Sequence, residues 1–177
     1  PLGKLQQMLA YGANIMRVRG FGLDIDITAN VFDALVDIAT APDAALQISA
    51  FRYSPIGMSG IRSVSFELHE QLDGTIDHVF CQAGGGGLAM GTAEGFLQLV
   101  EVGNLERPPR VHAVQPTGND TISGPLREGL AQGRDVECTT RISGLQVASV
   151  TDADGAIEAC RATDGTGYLV EDDLVWK

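Results

Sequence analysis

Four consecutive glycines, Gly84 to Gly87, stand in the stretch CQAGGGGLAMG, Cys81 to Gly91. A strand-like run, Ile76 to Phe80, precedes them, and a helical pattern, Leu88 to Leu99, follows. Each glycine in an ordered segment costs backbone entropy, so four in a row need a reason. Between a strand and a helix the reason is chemical. The amino end of a helix presents unpaired N–H groups and a partial positive charge. A phosphate there accepts several main-chain hydrogen bonds without a cationic side chain. A Cβ would block that approach, and glycine has none. The alternative is a tight strand-to-helix turn that holds no ligand. Phosphate binding at Gly84, Gly85, Gly86 and Gly87 is the favoured reading.

The surroundings narrow the kind of phosphate. Gly84, Gly86 and Ala89 fit the dinucleotide pattern G-x-G-x-x-A. That pattern expects an acidic residue at the end of the next strand, to hold a ribose. Here the next strand, Val111 to Val114, is followed by Gln115-Pro116-Thr117. No Gly-Lys-Ser/Thr follows the loop, so a Walker A motif fails too. One compact phosphate fits better than a pyrophosphate, and a dinucleotide-binding protein remains a minor alternative.

Other reactive residues have plainer readings. Glu67, His69 and Glu70 lie together on one helix, where a solvated face is favoured over an acid–base group. Asp152 and Asp154 suggest helix capping rather than a cation site, with Thr151 as the N-cap. Thr117 to Asp120 follow a strand at the end of the sheet where a cleft would open; an ordinary loop is the favoured reading, and a border of the active cleft is the alternative. Arg107 and Arg110, around Pro108 and Pro109, read as a solvated loop. His69, His78 and His112 are scattered, and Cys81, Cys138 and Cys160 lack metal-ligand spacing, so no metal site is expected. Three cysteines also make a poor disulfide framework; free buried thiols in a reducing compartment are expected.

The elements that position these residues alternate. Helical spacing marks Lys4 to Tyr11, stopped by Gly12, and Ala29 to Ala39, closed by Pro42. Ile15 to Val18 and Leu46 to Ser49 read as strands. Ser54 to Gly60 breaks the pattern before a helix over Ile61 to Leu72 and a turn at Asp73-Gly74. After the glycine-linked strand and helix come the strand Val111 to Val114 and a helix over Ile122 to Gln132 interrupted by Pro125. A helix over Thr151 to Cys160 and a strand over Tyr168 to Val170 finish the chain. This alternation predicts βαβ units and a parallel sheet.

Composition sets the outer limits. The chain has 177 residues, 44% hydrophobic and 20% charged, which suits one ordinary domain or two small ones. A formal net charge of -11 repels nucleic-acid backbones, so no nucleic-acid partner is expected. No apolar run reaches the roughly 18 residues of a membrane span, and no signal peptide is visible.

The order of segments resembles a known family. AGGGGLAMG, Ala83 to Gly91, is similar to the phosphate loop of the fold-type II pyridoxal-phosphate enzymes: threonine synthase, serine and threonine dehydratases and the tryptophan synthase β-subunit. Pro1 to Gly20, Ser54 to Gly74, Arg110 to Gly118 and Ala148 to Asp173 resemble further segments in the right order. The resemblance implies pyridoxal 5'-phosphate as cofactor, its phosphate held by Gly84, Gly85, Gly86 and Gly87. It implies a three-layer αβα architecture with a mainly parallel twisted sheet, part of the two-domain tryptophan synthase β-like fold. Residues 1–54 would be the remainder of the small α/β domain, and residues 55–177 part of the large cofactor-binding one. The parent activity would be that of an amino-acid lyase of threonine synthase or threonine/serine dehydratase type, acting on a small amino-acid substrate in the cytoplasm. Glu171-Asp172-Asp173 would match a regulatory ion site of some relatives, against a polar turn as the default.

That family attaches its cofactor to a lysine early in the chain. Only Lys4 and Lys177 are present, and Lys4 matches a different position of the family. The carboxylate-binding loop would lie before Pro1, and the partner of the pyridine nitrogen beyond Lys177. The chain therefore reads as an internal stretch of such an enzyme, with catalysis by these residues alone not expected. A non-enzymatic module that self-associates is the alternative. Two strands within Pro1 to Ser49 would leave open edges, and a homo-oligomer that covers them is expected.

Overall fold

The computed structural model describes residues 2–72 and 76–175. The turn expected at Asp73-Gly74, and Lys177, lie outside them. Helices α1 (Leu2–Ala10) and α2 (Ile25–Ile38) come first, then α3 (Pro55–Ser59), a single tight turn and α4 (Ser63–Gln71). Strand β1 (His78–Gln82), α5 (Gly87–Glu101), β2 (Arg110–Pro116), α6 (Ser123–Arg127), α7 (Ala153–Ala162), β3 (Gly167–Val170) and α8 (Asp172–Val175) follow.

The three strands are parallel, in the order β1-β2-β3. Cys81 pairs with Ala113, and Ala113 with Gly167. Parallel neighbours need long crossovers. Here α5 carries the first, and α6 with α7 the second. The expected α/β class with a parallel sheet is thus what the chain forms. No helix among the described residues is long and apolar enough to cross a membrane.

Alternation along each strand sorts the side chains. Cys81, Val111 and Ala113 point to one face and pack against Ala89, Ala93 and Phe96 of α5 and Ala156, Ile157 and Cys160 of α7. His78, Phe80, His112 and Tyr168 share the other face, where Phe80 and His112 stack at 4.7 Å and His112 meets Tyr168 edge-on at 5.4 Å. Phe80 stays 57% and Tyr168 43% exposed, while His112 beneath them is buried. His112 Nδ1 accepts the Thr166 N–H at 3.0 Å. Its proton therefore sits on Nε2, which donates to His78 Nδ1 at 2.9 Å. Burial, then the neighbouring His78, pulls the His112 pKa below its ordinary value.

Residues 2–49 depart from expectation. Both helices form, and the Asp24 carboxylate caps α2 by accepting the Ile27 N–H at 2.9 Å, which starts that helix at Ile25 rather than Ala29. Ile15 to Val18 and Leu46 to Ser49, however, are not strands. A strand is held by a neighbour that pairs its N–H and C=O groups, and neither segment has one among the described residues. Met16 is 90% exposed, and α2 buries only Thr28.

The remaining differences are at boundaries. The helix expected from Ile61 to Leu72 is α4, which starts at Ser63; ahead of it the short α3 starts at Pro55, since proline suits the first helical turn, and a tight turn over Gly60–Arg62 joins the two. Strand β1 extends two residues past Phe80. The helix expected over Ile122 to Gln132 shortens to α6, with Pro125 in the first turn, where its missing N–H loses nothing. Helix α7 has Asp152, not Thr151, at its N-cap, and that side chain does not cap it.

Candidate functional site

The glycines leave the sheet at its carboxyl end. Ala83 still donates to the Val114 carbonyl at 2.9 Å, one pairing beyond β1. Gly84 to Gly86 then turn the chain into α5, which starts at Gly87. Gly86 has φ 103°, a left-handed conformation that side chains disfavour. A Cβ there would stand 2.9 Å from Ala156 Cβ and 3.0 Å from Ile122 Cδ1, so the loop lies hard against α7 and the base of α6. A Cβ at Gly87 would stand 2.6 Å from Met58 Cε.

The donors of this loop are free. The N–H groups of Gly84, Gly85, Gly86 and Gly87 have no acceptor among the described residues. Its carbonyls, by contrast, are tied back. Gly85 O accepts the Asp152 N–H at 3.1 Å, and Gly84 O receives a long contact, 3.4 Å, from Gln115 Nε2. Carbonyls turned to the protein and amides left unpaired are what an anion-binding concavity needs. The loop opens on a cavity of about 350 Å³ lined also by Phe32, Ala50, Met58, Leu145 and Asp152.

Two side chains that sequence reasoning undervalued hold the loop. Gln115, noted there only as a missing acid, is fully buried. Its Nε2 donates to Thr121 Oγ1 at 2.9 Å, and its Oε1 accepts Ile122 N–H at 2.7 Å and Ser123 N–H at 2.9 Å. It ties the strand end, the glycine loop and α6 together. The available signal was a polar residue in step with the inward-facing Val111 and Ala113. Asp152 is 7% exposed. Its Oδ2 accepts the Phe51 N–H at 2.8 Å and its Oδ1 the Arg52 N–H at 3.0 Å, which fastens the segment before α3 to the start of α7. The partners lie about a hundred residues away, so no local pattern announces them.

The other candidates stay apart from the loop. Glu67 and Glu70 are exposed on α4; His69 beside them is half-buried, its Nδ1 without a partner among the described residues. Thr117 Oγ1 donates to Glu171 Oε1 at 3.0 Å. Asp120 accepts the Gly124 N–H at 2.5 Å and pairs with Arg134. Asn119 is wholly buried, and its side-chain amide has no hydrogen-bond partner among the described residues. Asp154 accepts the Gly133 N–H at 2.8 Å. Asp172 takes the Arg141 N–H and the Thr140 hydroxyl, which hold its pKa below the usual carboxylate value, and Asp173 pairs with Arg141. Asp172 and Asp173 open the short helix α8 and Glu171 stands just before it, and all three carboxylates are engaged by the protein. Among the described residues no three His, Cys, Asp or Glu side chains are grouped to hold a metal ion. All three cysteines are free, and burial pushes the Cys160 thiol up to about 12. Lys4 is exposed on α1.

Comparison with known proteins follows the same lines. The model of the pyridoxal-phosphate dependent enzyme family matches residues 1–177. The chain is 24% identical over 176 residues to threonine synthase of Methanosarcina acetivorans, a match covering 98% of this chain and 41% of that protein. It thus spans 41% of the length of that curated relative. Maize serine racemase superposes with a TM-score of 0.68 at 22% identity, over 98% of this chain and 49% of that one. The processed form of threonine deaminase isoform 2 from Solanum lycopersicum matches with a TM-score of 0.52 at 28% identity, over 66% of this chain and 31% of that one. At 22% identity the likeness to the racemase is one of fold.

Proposed function

The chain belongs to the pyridoxal-phosphate dependent enzyme family, and from that premise we propose that Gly84, Gly85, Gly86 and Gly87 hold the phosphate of pyridoxal 5'-phosphate. The observation that carries this reading is the set of unpaired N–H groups at the head of α5, in a hollow where a side chain at Gly87 would collide with Met58. The donor set fits a phosphate: neutral main-chain amides at the head of a helix of 15 residues. Once bound, the cofactor supplies an electron sink for charge developing at an amino acid's α-carbon. The residues of this chain would do the positioning. The glycine amides fix the phosphate, Gln115 holds the loop from behind, and Met58 with Phe51 shields it from water.

The parent activity in this reading is that of an amino-acid lyase of threonine synthase or threonine/serine dehydratase type, acting on a small hydroxy or phospho amino acid in the cytoplasm. Residues 1–54 correspond to the remainder of a small domain and residues 55–177 to part of a large one. Within the 177 residues the only lysines are Lys4 and Lys177, and Lys4 is exposed on α1, away from the loop. A polypeptide of these residues would therefore bind phosphate without turning substrate over. We also propose that it self-associates: Tyr11 is 84%, Met16 90% and Ile38 67% exposed. The module reading rests on the same apolar surface.

Titration of labelled chain with pyridoxal 5'-phosphate, followed through backbone amide resonances, tests the proposal. The amides of Gly84 to Gly87 should shift first and furthest, with no turnover of serine, threonine or their phosphorylated relatives. Shifts confined to Lys4 and its neighbours would refute the glycine site.

A further inference from the structure

The hollow in front of the glycines has a second wall. Val147, Thr151 and Asp152 line it together with the loop. A Cβ at Gly85 would stand 3.7 Å from Thr151 Cβ and 3.8 Å from Val147 Cγ1. The wall is fastened to the loop, because the Asp152 N–H donates to the Gly85 carbonyl at 3.1 Å. Thr151, one residue earlier, is thereby kept beside the glycine that it faces.

Its hydroxyl is uncommitted. Thr151 is half-buried, and its Oγ1 has no hydrogen-bond partner among the described residues. The N-cap of α7 is the next residue, Asp152. Asp152 itself offers an anion nothing. A carboxylate has no proton to donate, and its two oxygens are taken by the Phe51 and Arg52 N–H groups. Ser49 and Gln82 also line the hollow, but both are exposed, and neither is among the atoms nearest to a loop glycine. On the open side of the loop, Thr151 is therefore the one uncommitted side-chain donor that stands directly against a glycine, among the described residues.

An anion held by the glycine amides fills the space that side chains at those positions would take, and over Gly85 its neighbour is Thr151. A hydroxyl proton turns to suit its acceptor, and a hydrogen bond to a charged oxygen is stronger than one between neutral groups. We infer that the Thr151 hydroxyl is a further ligand of the phosphate, donating from the start of α7 to an oxygen that the loop amides leave open. This rests on the reading of Gly84 to Gly87 as a phosphate site and adds a side-chain ligand from a second element. A bound phosphate then joins the start of α7 to the head of α5.

Methyl phosphate at pH 8, where a phosphate monoester is a dianion, is the probe. It is titrated into the labelled whole chain and into Thr151→Val and Thr151→Ser, and binding is followed through the amide resonances of Gly84 to Gly87. Valine keeps the shape and loses the hydroxyl, so Thr151→Val should bind about tenfold more weakly, and Thr151→Ser should stay within about twofold of the wild type. The urea midpoints of the three chains should lie together. In the wild-type chain the Thr151 methyl resonance should move along the same titration curve as the glycine amides, a readout that needs no variant to fold. Wild-type affinity in Thr151→Val, equal weakening in Thr151→Ser, or a Thr151 methyl that stays still while the amides shift would overturn the role of Thr151 and leave the glycine site intact. No response of the glycine amides in the wild-type chain would overturn the site and this inference with it.

Discussion

Gly86 and Gly87 are neighbours in sequence with different physical duties. At Gly86 the backbone itself is left-handed, and the space beyond is filled by Ala156 and Ile122. Gly86→Ala should lower stability by about 1–3 kcal/mol, read from the urea midpoint. At Gly87 the obstruction is the mobile tip of Met58. Gly87→Ala should therefore cost less than about 1 kcal/mol, yet narrow the cup and weaken phosphate binding at least severalfold. The thiols divide in a similar way. Burial raises the pKa of all three, and Cys160 reaches about 12. Cys138 is half-buried, and the other two are inside. A thiol reagent should label Cys138 first, and Cys81 and Cys160 only on unfolding; rapid labelling of Cys160 in the native chain would contradict the packing described. That glycines were required here was legible in the sequence, because no other residue tolerates both demands. Which demand falls on which glycine was not, since it depends on Ala156, Ile122 and Met58.

Helix α5 is the element on which core and site both depend. Its buried face runs through Ala89, Ala93 and Phe96, while its first turn forms the cup. Phe96 is 1% exposed, so Phe96→Ala should destabilise by about 3–5 kcal/mol, measured by equilibrium denaturation. The sheet's second face supplies a pH signature. His112 donates to His78 and accepts from Thr166, and its folded pKa lies below the ordinary 6.5. The native state then binds fewer protons than the unfolded one in the interval between those two values. Stability is complete above about pH 6.5 and falls as pH drops through that interval. The urea midpoint should decline from pH 8 to pH 5.5, and His112→Gln should flatten the slope; a midpoint rising toward acid would contradict a lowered His112 pKa in the folded chain. The strands of this sheet were readable from their β-prone runs between turn residues. Their exact ends moved because pairing between strands, not local preference, decides where a ladder stops.

At the scale of the molecule, residues 2–49 present a surface that a stable small domain would bury. Light scattering at micromolar concentration should report a particle larger than one chain, and a uniform monomer would count against the proposed self-association. The two segments read as strands there, Ile15 to Val18 and Leu46 to Ser49, show the limit of sequence reasoning. Their side chains suit a sheet, but a strand exists only where another chain segment pairs with it. By itself the sequence determined the βαβ alternation, the parallel sheet that it requires, and the placing of four glycines between a strand and a helix. Those follow from short-range rules: periodicity, capping and the absence of a Cβ. Tertiary structure alone decided that Gln115 braces the loop, that Asp152 reaches Phe51 and Arg52, and that a carboxylate shares the hollow with the free amides. Such contacts join residues up to about a hundred positions apart, and their energy depends on burial and distance, which no local pattern of residue types encodes.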